Sequence, residues 1–383
     1  MIQRNAEKEL RILSKQFKAI AIVGPRQSGK TTLARYVFSH LPYINLENPD
    51  TRRYAIEDPR GFLGNYKNGA IFDEIQRTPE IFSYLQEILD ETKSPGRFIL
   101  TGSNNFLLQE NITQSLAGRI AYLTLLPFSL AEVTTLAKQE LNEQIFTGFY
   151  PPIYDQNLDA LKWYSNYIRT YVERDVRQLK NISDLNAFDR FIKLCAGRIG
   201  QLLNKSNLAI ETGVDNKTID SWLSVLESSF IIYRLQPYHK NFNKRIVKMP
   251  KIYFYDTGLA CNLLGINNST QLETHYLKGN IFENFVISEY FKSKFHYGKL
   301  NNFYFWRDNI GHEIDLIIDK TVSIVPIEIK SGKTIHDEFF KNLRYWLKLA
   351  GEKEGKIIYA GDFDQKRSEG IEVISWKNFS LFD

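Results

Sequence analysis

Short apolar runs alternate with amphipathic stretches through the first third of the chain. Residues 19–23, 43–46, 70–73, 97–101 and 121–125 are each bounded by Gly, Pro, Asn or Asp, and they predict buried strands. Between them, residues 31–38 and 81–91 carry helical spacing. Strands separated by helices predict a parallel sheet covered on both faces. This pattern fades after Pro127. Residues 130–185 read as helical and include a charged, aromatic segment at 167–176. A compact helical unit follows at 188–237, and the remainder returns to mixed α and β.

With 383 residues, 43% of them hydrophobic, the chain can bury two or three cores. The divisions expected are an α/β domain at 1–135, a helical lid or linker at 136–187, a winged-helix-like unit at 188–250 and an α/β domain at 251–383. Charged residues make up 24% and the net charge is +5, which permits contact with nucleic acid or acidic partners without requiring either. Cys195 and Cys261 stand far apart and in no metal-binding spacing, which suits a reducing cytosol. No apolar segment follows the charged N-terminal residues, and no apolar run is long enough to span a bilayer. The expectation is a cytoplasmic chain with no membrane partner.

Candidate chemistry begins where the first strand ends. Gly24-Pro25-Arg26-Gln27-Ser28-Gly29-Lys30-Thr31 lies between an apolar strand and a helix. Gly24 and Gly29 let the backbone curl so that successive N–H groups face phosphate oxygens, and the helix start adds positive potential. Lys30 is placed to reach the β- and γ-phosphates, Thr31 to hold Mg²⁺, and Thr32 to line the same cradle. Ala70-Ile71-Phe72-Asp73-Glu74 supplies the second half: Asp73 for Mg²⁺, Glu74 to polarise a water for attack. The strand ending at Thr101-Gly102-Ser103 offers Thr101 or Ser103 as a γ-phosphate sensor. Arg119 is a candidate to stabilise transition-state charge, in cis or across a subunit boundary.

These motifs resemble the AAA-type ATPases over residues 1–135, and the whole chain is similar to a bacterial and archaeal family that fuses such an ATPase to a C-terminal domain of unknown function. Residues 171–176, 251–259 and 305–308 carry the wider resemblance. It implies ATP and Mg²⁺ as cofactors and ATP hydrolysis as the activity. No second sensor arginine is legible after the ATPase core.

Residues 208–223 have helix–turn–helix spacing, with a first helix ending near Gly213, a second at 215–227 and a wing strand at 230–235. The exposed face of the second helix mixes Lys217 and Asn216 with Asp215 and Asp220, so DNA contact and a packing role both fit. His239, Lys240, Lys244, Arg245, Lys248 and Lys251, interleaved with Phe242, form the densest basic stretch, a candidate strip for nucleic-acid backbone.

Further on, a helix at 281–295 places Glu283 on an otherwise apolar sector. A strand at 312–319 should alternate, with Glu313, Asp315 and Ile317 on one face. Residues 325–330 put Glu328 and Lys330 on a shared face. Helix, three strands, helix and strand, with Asp and then Glu-x-Lys at the centre, resembles the PD-(D/E)XK nuclease core, although no proline precedes Asp315. The resemblance implies that Glu283, Asp315 and Glu328 hold a second divalent metal, Mg²⁺ or Mn²⁺, and that Lys330 orients the attacking water. The expected function is an ATPase whose nucleotide state governs a nuclease-like domain that cuts or binds nucleic acid. The alternative is a nucleotide-gated interaction protein with an inactive C-terminal domain. A protein partner and a second copy of the chain fit either reading.

Overall fold

The computed structural model describes residues 2–91, 94–102, 112, 115–134, 140–172, 184–239, 247–299 and 302–379. Ser103, residues 173–176 and the basic run at 240–245 lie outside these residues.

All five residues of β1 (Ala19–Val23) are buried, as expected of a strand covered on both faces. It sits between β4 (Phe98–Thr101) and β5 (Ile120–Thr124), both parallel to it. With β2 (Tyr43–Asn45) and β3 (Ala70–Asp73) they form one parallel sheet of order β2-β3-β4-β1-β5. The strand period of two splits β1 between two cores. Ile20 and Ile22 pack with Leu10, Leu33 and Val37 from the helices Ala6–Gln16 and Lys30–Val37. Ala19, Ala21 and Val23 face the side covered by Phe62, Leu85 and Leu89. The helices expected at 31–38 and 81–91 are Lys30–Val37 and Ile81–Glu91.

Short helices at Leu130–Val133, Leu141–Thr147, Pro151–Asp155 and Ala160–Tyr167 follow. The middle unit has helices Leu185–Ala196, Lys205–Thr212 and Asn216–Ser228, with Gly213 in the left-handed region closing the second of them. Strand β6 (Ile232–Leu235) then pairs antiparallel with β7 (Lys251–Phe254). The expected division at 250 falls between the two strands of this pair, and β7 also bonds to the helix Lys278–His296 through Asn284 and Glu283.

The last sheet has the order β12-β13-β11-β10-β9-β8. Its strands are β8 (Phe303–Arg307), β9 (Glu313–Asp319), β10 (Ile324–Lys330), β11 (Gly355–Tyr359), β12 (Gln365–Lys366) and β13 (Ile371–Ser375). The helix Lys278–His296 precedes them, and Lys341–Ala350 crosses between the parallel strands β10 and β11. One expectation fails here. Tyr304 pairs with Ile317 but Trp306 with Ile314, so two residues of β9, Asp315 and Leu316, oppose one residue of β8. This bulge breaks the alternation: Ile317 packs with Ile314 in one core, while Leu316 and Ile318 join the other. The middle hairpin is stitched to this sheet, because the Tyr238 N–H donates to the Phe305 carbonyl at 2.7 Å.

Candidate functional site

The turn after β1 needs glycine. Gly24 has φ +144°, and a Cβ there would lie 2.2 Å from the Leu125 carbonyl oxygen. Gly29 has φ +92° and opens the helix that begins at Lys30. Pro25, Arg26, Gln27 and Ser28 form the arch between them. The Lys30 ammonium donates to the carbonyls of Gly24 at 2.9 Å and Pro25 at 2.7 Å, which holds it inside the loop. The Ser28 hydroxyl is buried and has no hydrogen-bond partner among the described residues. A backbone arch that only glycine permits, a lysine within it and an orphan hydroxyl suit a polyphosphate.

At the carboxyl end of β3, Asp73 is gripped by three hydroxyls. Thr31 Oγ1 lies 3.1 Å from both carboxylate oxygens, the Tyr43 hydroxyl donates to Oδ2 at 2.7 Å, and the Thr101 hydroxyl donates to Oδ1. Burial and this bond to Asp73 push the Tyr43 phenol well above its ordinary pKa. Thr101 is fully buried, and its hydroxyl donates to Asp73 and orients that carboxylate. Tyr43 escaped the sequence reading because nothing local marks it. Only the β2–β3 pairing brings it close. Glu74 adopts φ +56°, uncommon for a side chain of its kind, and accepts from Gln76 Nε2 at 2.5 Å.

The loop, Thr32, Asp73 and Glu74 line one side of a cleft of about 580 Å³. Pro151, Pro152, Gln156 and Trp163 from the helical segment close the other. A recess of about 270 Å³ beside it is lined by Ile2, Arg4, Leu33 and Phe128. Arg119 is elsewhere. Ile120 pairs with Ala19, at the end of β1 opposite the loop, and Arg119 binds Asp90 through Nε at 2.5 Å and through a second nitrogen at 2.9 Å. Arg119 therefore stands at the opposite end of β1 from the phosphate loop, bound to Asp90.

The C-terminal carboxylates do converge. Glu283, Glu313 and Asp315 each offer an oxygen within 4.8 Å of the others. Glu313 joins Glu283 and Asp315 in this set, and Glu328, which was expected there, is not one of the three. Two lysines compensate the cluster. Lys251 Nζ lies 2.9 Å from Glu283 and also pairs with Glu313, while Lys330 pairs with Glu328. Tyr253 donates to Glu283 at 2.5 Å, and Asp315, turned by the bulge, accepts the Ile329 N–H at 2.7 Å. Burial, outweighing Lys251, lifts the Glu283 carboxyl to about 7. Burial and Asp315 raise Glu328 as well. Burial alone would lower Lys251 and Lys330, but the surrounding carboxylates more than offset it and raise both. Lys251 is buried, and this corrects its expected place on a nucleic-acid strip. A larger surface cleft of about 630 Å³ lies at the far end of β10 and β11, mixes Lys353, Lys356 and Arg367 with Glu354 and Glu372, and contains none of these acids.

Comparison with known proteins bears on both regions. An AAA domain family matches residues 16–134, and two domains of unknown function match residues 138–270 and 278–379. The uncharacterized protein Rv2008c of Mycobacterium tuberculosis is 32% identical over 337 residues, covering 87% of this chain and 74% of its own length. The chain belongs to this family of AAA-domain proteins. The uncharacterized protein MJ1544 of Methanocaldococcus jannaschii is 27% identical over 354 residues, covering 82% of this chain and 74% of its own length. Among solved structures, a Walker-type ATPase of Pyrococcus abyssi is similar with a TM-score of 0.46 and 16% identity, over 69% of this chain and 96% of that one. The N-terminal region is thus a P-loop ATPase domain of AAA type. Among the described residues no helix is long and apolar enough to cross a membrane.

Proposed function

We propose that the chain binds ATP with Mg²⁺ in the cleft behind Gly24–Thr31 and hydrolyses it, and that nucleotide state governs a nuclease-like C-terminal domain acting on nucleic acid. The observation that carries the ATPase half is Asp73, held at a strand end by Thr31, Tyr43 and Thr101 without a cationic partner in that grip. Hydroxyls fix the carboxylate but leave its charge for a cation. Thr31 and Asp73 would hold the Mg²⁺, which would draw charge from the β- and γ-phosphates. Lys30 binds the phosphates, and Glu74, set by its backbone and Gln76, orients water. Arg119 is proposed to stabilise transition-state charge across a subunit boundary.

In the C-terminal domain Glu283, Asp315 and Glu328 are the proposed ligands of a second divalent ion, Mg²⁺ or Mn²⁺. Glu313 stands beside them and Lys330 faces the water. The helices at 205–228 with the β6–β7 hairpin serve as a winged-helix-like unit that presents nucleic acid to this site. The test is incubation of purified protein with labelled DNA and RNA, with Mg²⁺ or Mn²⁺, and with or without ATP. Asp315→Ala should abolish cleavage and metal binding while leaving ATP turnover within about twofold, since the sites are separate. A wild type that neither cleaves nor binds metal overturns the nuclease half. The second reading, a nucleotide-gated binding module that cuts nothing, is favoured by the Lys251 pairs with Glu283 and Glu313, which compensate the acids without a metal.

A further inference from the structure

Arg4 precedes the matched AAA segment, yet its guanidinium is buried against the phosphate loop. One terminal nitrogen donates to the Ser28 carbonyl at 2.7 Å, the other to the Leu126 carbonyl at 2.7 Å, and Nε to Glu132 at 3.0 Å. The three acceptors lie on the loop itself, on the segment after β5 and on the turn Leu130–Val133. A planar fork of donors can fix all three at once. Glu132 is itself locked: it accepts the Asn5 N–H at 2.6 Å and the Ser129 N–H at 2.7 Å, closing a capping box with Ser129.

The next link leaves the ATPase domain. The Leu130 N–H, in the same turn, donates to Glu289 Oε2 at 2.6 Å, and Glu289 pairs with Lys292 at 2.6 Å. Both residues are buried on the helix Lys278–His296. The Lys292 ammonium lies 3.5 Å from the centroid of Phe149, two residues before Pro151, which forms the opposite wall of the nucleotide cleft. Both walls of the cleft therefore meet one helix at Glu289 and Lys292. Glu283 of the carboxylate cluster lies six residues earlier on that helix, about 9 Å along its axis. These buried groups are bonded one to the next, so a shift of one is felt by its neighbour.

We propose that Arg4 is a positioning residue for the ATPase reaction, which sets the shape of the phosphate loop at Ser28 and passes nucleotide occupancy through Glu132, Leu130 and Glu289 to the helix that carries Glu283. This rests on the ATP-binding reading above. The coupling works because nucleotide enters between two walls that share one anchor, so closing on phosphate strains or relieves the anchor.

Hydrogen exchange of residues 289–296 tests it, with and without a nonhydrolysable ATP analogue and Mg²⁺, while analogue binding is measured separately by fluorescence. In wild type, binding should slow exchange there by about tenfold. Arg4→Lys keeps the charge beside Glu132 but replaces the fork with a point donor. It should lower kcat about tenfold, move KM less than about threefold and abolish the protection. Glu289→Gln, which leaves Arg4 and its three acceptors in place, should lower kcat less than Arg4→Lys does and still lose the protection. A merely structural Arg4 would lower the thermal midpoint in Arg4→Lys while kcat per folded molecule and the protection survived, and that result overturns the proposal. So does wild-type protein that binds the analogue with no change at 289–296. Wild type that fails to bind the analogue overturns the ATP reading itself and this coupling with it.

Discussion

The acid at the phosphate loop and the acids of the C-terminal cluster are compensated in opposite ways. Around Asp73 the partners are neutral hydroxyls from Thr31, Tyr43 and Thr101. Around Glu283, Glu313, Asp315 and Glu328 the partners include the ammoniums of Lys251 and Lys330. A hydroxyl orients a carboxylate and leaves its charge intact, whereas a lysine cancels that charge and adds its own desolvation cost. The first arrangement is built for a cation that comes and goes with a ligand. In the second, protein cations already stabilise the acids, and any metal must share the site with them.

The sharpest break in the comparison comes from deleting one of those cations. Lys251→Met removes an almost fully buried ammonium and leaves Glu283 and Glu313 facing each other. It should cost about 3–5 kcal/mol of folding stability in denaturant titration. Adding Glu283→Gln to Lys251→Met should recover part of that loss. Tyr43→Phe at the other site removes one neutral donor from Asp73 and should cost only about 1–2 kcal/mol, with Mg²⁺-dependent ATP turnover the more sensitive readout.

A smaller effect follows from pH. Burial holds Glu283 protonated up to about 7, above its ordinary 4.5, so the folded chain binds more protons than the unfolded one between those values. The contribution of Glu283 to stability is therefore fully present below pH 4.5 and is lost as pH rises through about 7, and Glu283→Gln should flatten that slope. Unfolding midpoints across this range, in wild type and variant, check the sign. The smallest effect on stability is expected at Arg119. Arg119→Ala should leave the fold unchanged. If Arg119 acts on a neighbour, mixing it with Lys30→Ala protein should restore hydrolysis that neither shows alone. Wild-type turnover in Arg119→Ala would remove it from catalysis.

What the sequence revealed and what it hid differ by range. Strands at 19–23 and 70–73 were legible because a continuous apolar run bounded by glycine or acid has few other uses in a parallel sheet. Glu283, Asp315 and Glu328 could be nominated because each sits at an anomalous position in a local apolar pattern. Tyr43 and Arg4 were hidden, and Lys251 was read as part of a surface strip, because their partners lie far off along the chain, while Glu313 was placed on the face of Asp315 without being nominated as a ligand. Arg4 meets Glu132 across 128 residues, and Lys251 meets Glu283 across 32. The bulge at Asp315 left no mark either, since a period of two looks intact in the letters when the pairing strand alone decides it. Arg119 shows the converse: its place in a motif was legible, but the end of the sheet it occupies was not.

The most direct test of the account is nucleotide binding and turnover measured side by side in Lys30→Ala and Glu74→Gln. Lys30 lies inside the phosphate arch, and Glu74 lies beyond it on a strained turn where water would stand. Glu74→Gln should bind ATP as wild type does and hydrolyse it about 10²- to 10⁴-fold more slowly, while Lys30→Ala should lose binding itself. Equal loss of binding in both variants, or undiminished turnover in Glu74→Gln, would contradict it.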